Sequence, residues 1–230
     1  MVSLEELQTY CKDKKIIIVG NSGHMIGSNS LKIIDSYDVV IRINKGYQGG
    51  RTVLANSIGY KTHILAMGMK SAQLASTVIK NNSIDYILAP IIFSERLDYS
   101  NVYNVDKETY NLLKTSLGNS KPSTGISVYN FFNRFINFKR LDLIGFDFFT
   151  SSTNQRNALG HLFVKDHNGE KEKEFFKDSK DPEKTRLYEL KSTKQKPIDN
   201  IPLYSNIKNP SRYHIKKVIS KKWEKILKNL

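Results

Sequence analysis

Cysteine is almost absent from this sequence, and so are long apolar runs. Cys11 is the only cysteine in 230 residues, so no disulfide can form within the chain, and a zinc site built on cysteines is excluded. No apolar run approaches the roughly 20 residues that a membrane-spanning helix needs. The first residues lack the basic and apolar regions of a signal peptide. These absences favour a cytoplasmic protein.

Three familiar motifs for nucleotides and their metal ions are also missing. Gly20, Gly23 and Gly27 have the spacing G-x-x-G-x-x-x-G, which is not the G-x-G-x-x-G fingerprint of dinucleotide-binding proteins. No G-x-x-x-x-G-K-[ST] occurs, which excludes a P-loop. No two aspartates are separated by a single residue, so the D-x-D metal clamp of many glycosyltransferases is absent. Arg42 leaves one alternative open, an NADP-dependent oxidoreductase in which it binds the 2′-phosphate.

Positive charge is in large excess, with a net charge of +14 and a pI near 9.6. This excess predicts an anionic partner or a lysine-rich solvated surface. Nucleic acid is not expected, because basic and aromatic residues do not alternate on a predicted strand and no zinc finger is present. Residues 207–230 have apolar residues at helical spacing among lysines. They predict a basic amphipathic helix that either lies on an anionic membrane or packs on the domain.

Strands that alternate with helices predict an α/β fold with an open, mostly parallel sheet flanked by helices, in a single domain at 1–206. Apolar runs predict strands at 16–19, 38–43, 62–67, 85–90, 141–144 and 201–204. Caps and helical spacing predict helices at 3–12, 71–80, 106–117, 125–136 and 169–176, and a short one through Ile34 that Ser28 or Ser30 caps. Residues 48–59 and 148–166 are predicted loops, and the second is long enough for a functional lid.

Polar turns end several of the predicted elements, and parallel strands bring such turns to one edge of the sheet. They are Gly20–Gly23, Asn44, Ser123–Gly125 and Gly145–Asp147. Helix N-termini at this edge offer backbone N–H groups and a positive dipole end, which favour a phosphate. Ser123 and Thr124 can donate hydroxyls to such an anion. Ser123 can equally serve only as the cap of its helix.

His161 and His167 lie together in the long polar loop. No third ligand for a metal site accompanies them. A neutral histidine is a common general base near pH 7, and Glu170 or Glu172 in the following helix can orient His167. The alternative is that both histidines are exposed loop residues without a catalytic role.

Taken together, these motifs resemble the sialylmotif-bearing sialyltransferases. Gly20-Asn21-Ser22-Gly23, the Asp35-Ser36 pair and the Arg42-Ile43-Asn44 strand end resemble the large sialylmotif. Pro122-Ser123-Thr124-Gly125 with Gly145-Phe146 resembles the small sialylmotif, and His167 with Glu172 matches the very short motif H-x-x-x-x-E. The motifs occur in family order between about residues 16 and 174.

The resemblance implies a variant Rossmann-like fold of the GT-A type and a CMP-activated sugar as donor. It implies that His167 is the general base, that Glu172 orients it, and that His161 contacts the leaving phosphate. The residues implied to bind CMP are Asn21, Ser22, Gly23, Asn44, Ser123, Thr124, Gly125, Gly145 and Phe146. The animal enzymes have a luminal anchor and a disulfide, so one cysteine and no anchor fit a short bacterial or viral form.

The expected reaction is a metal-independent, inverting transfer of sialic acid to a hydroxyl of a glycan. The related keto-sugar Kdo, carried by the same CMP leaving group, fits the motifs equally well. A non-catalytic nucleotide-sugar-binding relative would keep the glycine turn without a working His167. The basic tail suits a glycolipid acceptor, as in lipooligosaccharide or capsule biosynthesis, and peripheral attachment to the inner face of the membrane.

Overall fold

A computed structural model of the chain describes residues 2–25, 27–44, 55–68, 84–90, 100–149 and 167–190. The strands are β1 (Lys15–Val19), β2 (Val39–Ile43), β3 (Ile64–Ala66), β4 (Tyr86–Pro90), β5 (Val102–Val105), β6 (Arg140–Ile144) and β7 (Thr185–Tyr188). The helices are α1 (Leu4–Cys11), α2 (Leu31–Ile34), α3 (Ala55–Ile58), α4 (Lys107–Ser116), α5 (Thr124–Phe135) and α6 (Gly169–Ser179), with a 3-10 turn at Gly23–Met25.

The strands form a single sheet in the order β5-β4-β3-β2-β1-β6-β7, and every pairing among the described residues is parallel. The predicted α/β class with a parallel sheet is confirmed, and the fold is Rossmann-like. The chain runs outward from β1 to β5 and then returns to place β6 on the other side of β1. Ligands of such sheets bind in the crevice at this switch point, beyond the carboxyl ends of the strands.

The two faces of the sheet bury alternate residues of the same strands. Ile16 and Ile18 of β1 join the larger core under α1, α4, α5 and α6. Ile17 and Val19 face the other way and join a smaller core that includes Ile34 of α2. Both faces are covered, which explains why β1 and β2 read as continuous apolar runs rather than as alternating ones.

Helix caps confirm several predicted boundaries, one of them without a side-chain hydrogen bond. Ser3 and Glu6 form the predicted capping box at the start of α1, and Asp106 caps α4 through the backbone N–H of Thr109. Ser30 precedes α2, but its side chain makes no cap hydrogen bond and instead contacts the hydroxyl of Ser28. Ser30 is therefore the N-cap residue of α2, as predicted, but the expected side-chain hydrogen bond does not form.

The remaining differences concern short elements. The predicted loop at 48–59 contains the single turn of α3, and β5 and β7 were not predicted. The predicted helices at 71–80 and 207–230 and the predicted strand at 201–204 lie outside the described residues. Most of the predicted lid at 148–166 lies outside them as well. The other predicted strands and helices form within a few residues of the expected positions.

Candidate active site

The turns after β1 and β6 meet at the switch point of the sheet. The backbone N–H of Gly20 donates to Ile144 O at 2.8 Å, and that of Ser22 donates to Gly145 O at 3.0 Å. A Cβ at Gly20 would lie only 2.3 Å from Gly145 O. Gly145 itself has φ +73°, where glycine is favoured. These two glycines allow the loops after β1 and β6 to touch.

The side chains of the β1 turn fix its shape. Asn21 Nδ2 donates to Ile43 O at 3.1 Å, which ties this turn to the end of β2. The buried hydroxyl of Ser22 accepts from His24 N at 3.1 Å. Gly23 begins the 3-10 turn that follows and is buried. The predicted donor-binding turn is therefore pre-formed at the carboxyl edge of the sheet.

Asn44 connects three elements at the same edge. Its φ of +51° is left-handed, a conformation that asparagine tolerates better than most residues. Its Oδ1 accepts from Gly68 N at 2.6 Å, after β3, and its Nδ2 donates to Thr124 Oγ1 at 3.3 Å, at the start of α5. Sequence reasoning missed Gly68, although a glycine directly after a predicted strand was a usable signal.

The first turn of α5 points into this edge. Ser123 caps the helix by accepting from Ile126 N at 3.3 Å. Gly125 is buried, and a Cβ there would lie 2.6 Å from Cε1 of Phe146. The small-motif residues Ser123, Thr124 and Gly125 thus lie against Phe146. The N–H groups and positive dipole end of α5 make this a suitable place for a phosphate.

Glu172 binds Ser123. Its two carboxylate oxygens accept from Ser123 N and Ser123 Oγ, both at 2.7 Å. Burial raises the pKa of Glu172 to about 7, against the opposing effect of the two Ser123 hydrogen bonds. The motif resemblance implied that Glu172 orients His167. In the structure, both carboxylate oxygens of Glu172 instead accept hydrogen bonds from Ser123, in the loop that leads into α5. Glu170 is exposed.

His167 lies beside the same loop. Its Nδ1 is 2.8 Å from Lys121 O, two residues before Ser123. Its ring stacks on Phe149, with centroids 5.3 Å apart and an interplanar angle of 15°. His167 is partly buried. His161, the other predicted catalytic histidine, lies outside the described residues.

Arg42 does not support the oxidoreductase alternative. Its side chain is 1% exposed. Nε donates to Lys61 O and Thr62 Oγ1, at 2.9 and 3.0 Å, and Nη2 donates to Ile58 O and Gly59 O, at 2.7 and 3.0 Å. Burial lowers its pKa to about 10. The guanidinium therefore holds the segment between α3 and β3. These hydrogen bonds give a structural reason for an arginine at this position, which had suggested a 2′-phosphate site.

The described residues bring most of the predicted site to one edge of the sheet. In this part of the chain, no group of three or more histidine, cysteine or acidic side chains is arranged to hold a metal ion. The family model of glycosyltransferase family 29 (sialyltransferase) matches residues 5–102. This match covers less than half of the chain, and it shows a similarity to the sialyltransferase family. The resemblance seen in the motifs is confirmed as a similarity to this family.

Solved structures of sialyltransferases share the fold. One crystal structure of a mammalian sialyltransferase has a TM-score of 0.54 and 17% identity, covering 78% of this chain and 70% of that one. A second, in complex with Gal-beta-1-3GalNAc-ortho-nitrophenol, has a TM-score of 0.52 and 17% identity, covering 79% and 70%. No curated protein sequence matches the chain. At this identity the structural likeness shows the fold alone.

The family match supports the two halves of the site unequally. Residues 5–102 contain Asn21, Ser22, Gly23 and Asn44 of the candidate site. Ser123–Gly125, Gly145–Phe146 and His167 lie beyond the matched range, so their roles rest on the motif resemblance and on the geometry. The roles assigned to individual residues therefore remain predictions.

Proposed function

We propose that this protein is a sialyltransferase that transfers sialic acid from CMP-sialic acid to a glycan hydroxyl by one inverting displacement, with His167 as general base. The acceptor hydroxyl loses its proton as it attacks the anomeric carbon, and the C–O bond to the CMP phosphate breaks. A single displacement of this kind inverts the configuration. His167 takes the proton, and CMP leaves with the bonding electrons.

The observation that carries this proposal is the hydrogen bond between His167 and Lys121. A backbone carbonyl can only accept, so Nδ1 of His167 must carry the proton. In the neutral ring, Nε2 is then the unprotonated nitrogen, the form that a general base needs. The same carbonyl belongs to the loop that leads into Ser123. The base is thus linked directly to the N-terminus of α5, which we propose as the phosphate site.

The contacts at the sheet edge support a proposal for the donor pocket. We propose that the turn after β1 and the first turn of α5 bind the CMP phosphate and ribose, and that Gly145 and Phe146 face the cytosine. CMP departs with one additional negative charge on a single phosphate. Backbone N–H groups, hydroxyls and a helix dipole can stabilise this charge, which supports a reaction without a metal ion.

The test of the base is His167→Ala. We expect turnover to fall roughly 10²–10⁴-fold while CMP still binds, measured by sugar transfer and by calorimetric titration with CMP. His63→Ala is the matched control, because His63 precedes β3 at the other end of the strands and its Nδ1 accepts from Val40 N at 3.0 Å. Turnover near that of the wild type in His167→Ala would refute the assignment. Activity of the wild type should also survive EDTA.

The donor sugar is tested separately from the base. A thermal-shift panel with CMP, CMP-sialic acid, CMP-Kdo, UDP-sugars and NADP should show stabilisation by the CMP compounds alone. Transfer assays with CMP-sialic acid and CMP-Kdo then distinguish the two sugars. Gal-beta-1-3GalNAc-ortho-nitrophenol, which a structural relative binds, is a suitable first acceptor probe. Stabilisation by NADP or UDP-sugars would contradict the proposed donor class.

We also propose that the enzyme works in the cytoplasm, attached to an anionic membrane by residues 207–230, on a glycolipid acceptor. The sequence supports this proposal, because residues 208–230 hold eight Lys or Arg and one acid, Glu224. Among the described residues, no helix is suited to span a bilayer. Sedimentation with anionic liposomes should pellet the full chain more than a chain that ends at Asn209. Equal pelleting would contradict the attachment.

A further inference from the structure

The two residues after Asp147 have an unusual backbone. Phe148 and Phe149 have φ of +48° and +69°, in the left-handed region that residues with a side chain rarely adopt. The N–H of Phe149 donates to Asp147 Oδ1 at 3.1 Å, which closes this turn. Such conformations persist only where surrounding contacts hold them, and they cluster at functional sites. The neighbours of the two phenylalanine rings show which residues this turn holds in place.

The rings of the turn have different neighbours. Phe148 packs against Phe176 of the larger core, with centroids 6.3 Å apart. Phe149 stacks nearly parallel on the imidazole of His167. The turn also lies close to the start of α6, because a Cβ at Gly169 would be 2.0 Å from Phe148 O. Glycine at 169 therefore allows the turn to approach the helix that His167 precedes.

The imidazole of His167 is contacted both at an edge and on a face. The bond from Nδ1 to Lys121 O holds the edge of the ring. The ring of Phe149 lies nearly parallel to the imidazole, with an interplanar angle of 15°, and limits how far its plane can tilt. The carbonyl and the phenyl ring together restrict the direction of Nε2.

We propose that Phe149 is a positioning residue for His167, which it holds in the orientation that the proton transfer requires. The proposal rests on the proposed role of His167 as general base. Phe149 acts through His167, so it contributes to turnover and not to the affinity for CMP. Misplacement of a catalytic group by about 1 Å can cost up to 10²-fold in rate, and loss of the stack is expected to cost roughly tenfold.

The test compares Phe149→Leu, Phe149→Tyr and Phe148→Leu. Leucine has no flat face, so kcat of F149L should fall roughly tenfold with the Kd for CMP unchanged. Tyrosine keeps the stack, so F149Y should retain most of the wild-type kcat. F148L is the matched control, because its ring packs on the core. F148L should lower the melting temperature, and it should reduce kcat much less than F149L does. If F149L does not fold, F149M replaces it.

A double-mutant cycle with His167→Ala separates positioning from a general structural effect. If Phe149 acts through His167, F149L should have no further effect on the residual turnover of H167A, since coupled residues are not additive. A tenfold additional loss in the H167A background would overturn the proposal, as would an unchanged kcat in F149L when H167A is inactive. Normal turnover of H167A would instead overturn the role of His167 as the base.

Discussion

Glu172 is a buried carboxylate whose charge is stabilised only in part by Ser123. Its folded pKa of about 7 lies above the unfolded value of 4.5, so the folded protein binds more protons between these two pH values. Stability from this group is fully present below pH 4.5 and is lost as the pH rises through 7. A shift of this size corresponds to a loss on the order of 3 kcal/mol.

Glu172→Gln should remove this dependence. The amide oxygen can accept from Ser123 N and the amide nitrogen can donate to Ser123 Oγ, which imitates the protonated acid. We expect the stability of E172Q relative to the wild type to rise between pH 4.5 and 7, by a free energy on the order of 3 kcal/mol. Urea unfolding at a series of pH values measures the difference. Two parallel stability curves would contradict the raised pKa.

Arg42 illustrates how a residue in a functional motif can have a structural role. Its guanidinium reaches four oxygens between Ile58 and Thr62, a geometry that the single ammonium of lysine cannot reproduce. Arg42→Lys leaves buried carbonyls unpaired and should lower the free energy of unfolding by about 2–4 kcal/mol. Arg186→Lys on β7, where Arg186 is exposed, is the control and should change it by less than about 0.5 kcal/mol. Equal effects would refute this interpretation.

At the scale of elements, the contact between the loops after β1 and β6 depends on Gly20. A new methyl group there meets a backbone oxygen, Gly145 O, at 2.3 Å, and the backbone cannot move away without disturbing both strand ends. At Gly68 the nearest atom is Thr124 Oγ1, at 2.6 Å, which belongs to a side chain that can rotate. Gly20→Ala should therefore lower the free energy of unfolding by about 3 kcal/mol and Gly68→Ala by less. Denaturant midpoints of the two variants test this order.

The elements that the sequence did not reveal are those with little buried surface. β1 and β2 are buried along nearly their whole length, so continuous apolar runs predicted them. β7 lies at an edge of the sheet, and only its first residue, Thr185, is buried. β5 lies at the other edge and buries only Val102. A pattern of hydrophobicity reports burial, so edge strands leave a weak signal.

Motifs indicated the residues of the candidate site, but they could not predict the hydrogen-bonding and stacking partners of each residue. Glu172 and Ser123 are 49 positions apart, and no spacing rule predicts that the carboxylate binds the α5 cap instead of the nearby histidine. The stack of Phe149 on His167 depends on two left-handed residues, which the sequence does not indicate for phenylalanine. These contacts arise from the tertiary fold, which a linear motif does not encode.

For the whole molecule, the large positive charge should act on the donor over a long range. A CMP-sugar of this class carries a phosphate and a carboxylate, and the protein has a net charge of +14. An attraction of this kind raises the rate of encounter and is screened by salt, since the Debye length falls from about 30 Å at 0.01 M to about 8 Å at 0.15 M. A neutral acceptor does not experience this attraction.

Raising the salt concentration should therefore affect the two substrates differently. Between about 0.01 and 0.15 M NaCl we expect kcat/KM for the CMP-sugar to fall several-fold, with kcat unchanged and with little change in KM for a neutral acceptor. A chain that ends at Asn209 lacks seven basic residues and one acidic residue, so its salt dependence should be weaker. Equal salt dependence for donor and acceptor would mean that salt acts on the enzyme itself, and no salt dependence would mean that donor capture relies on short-range contacts alone.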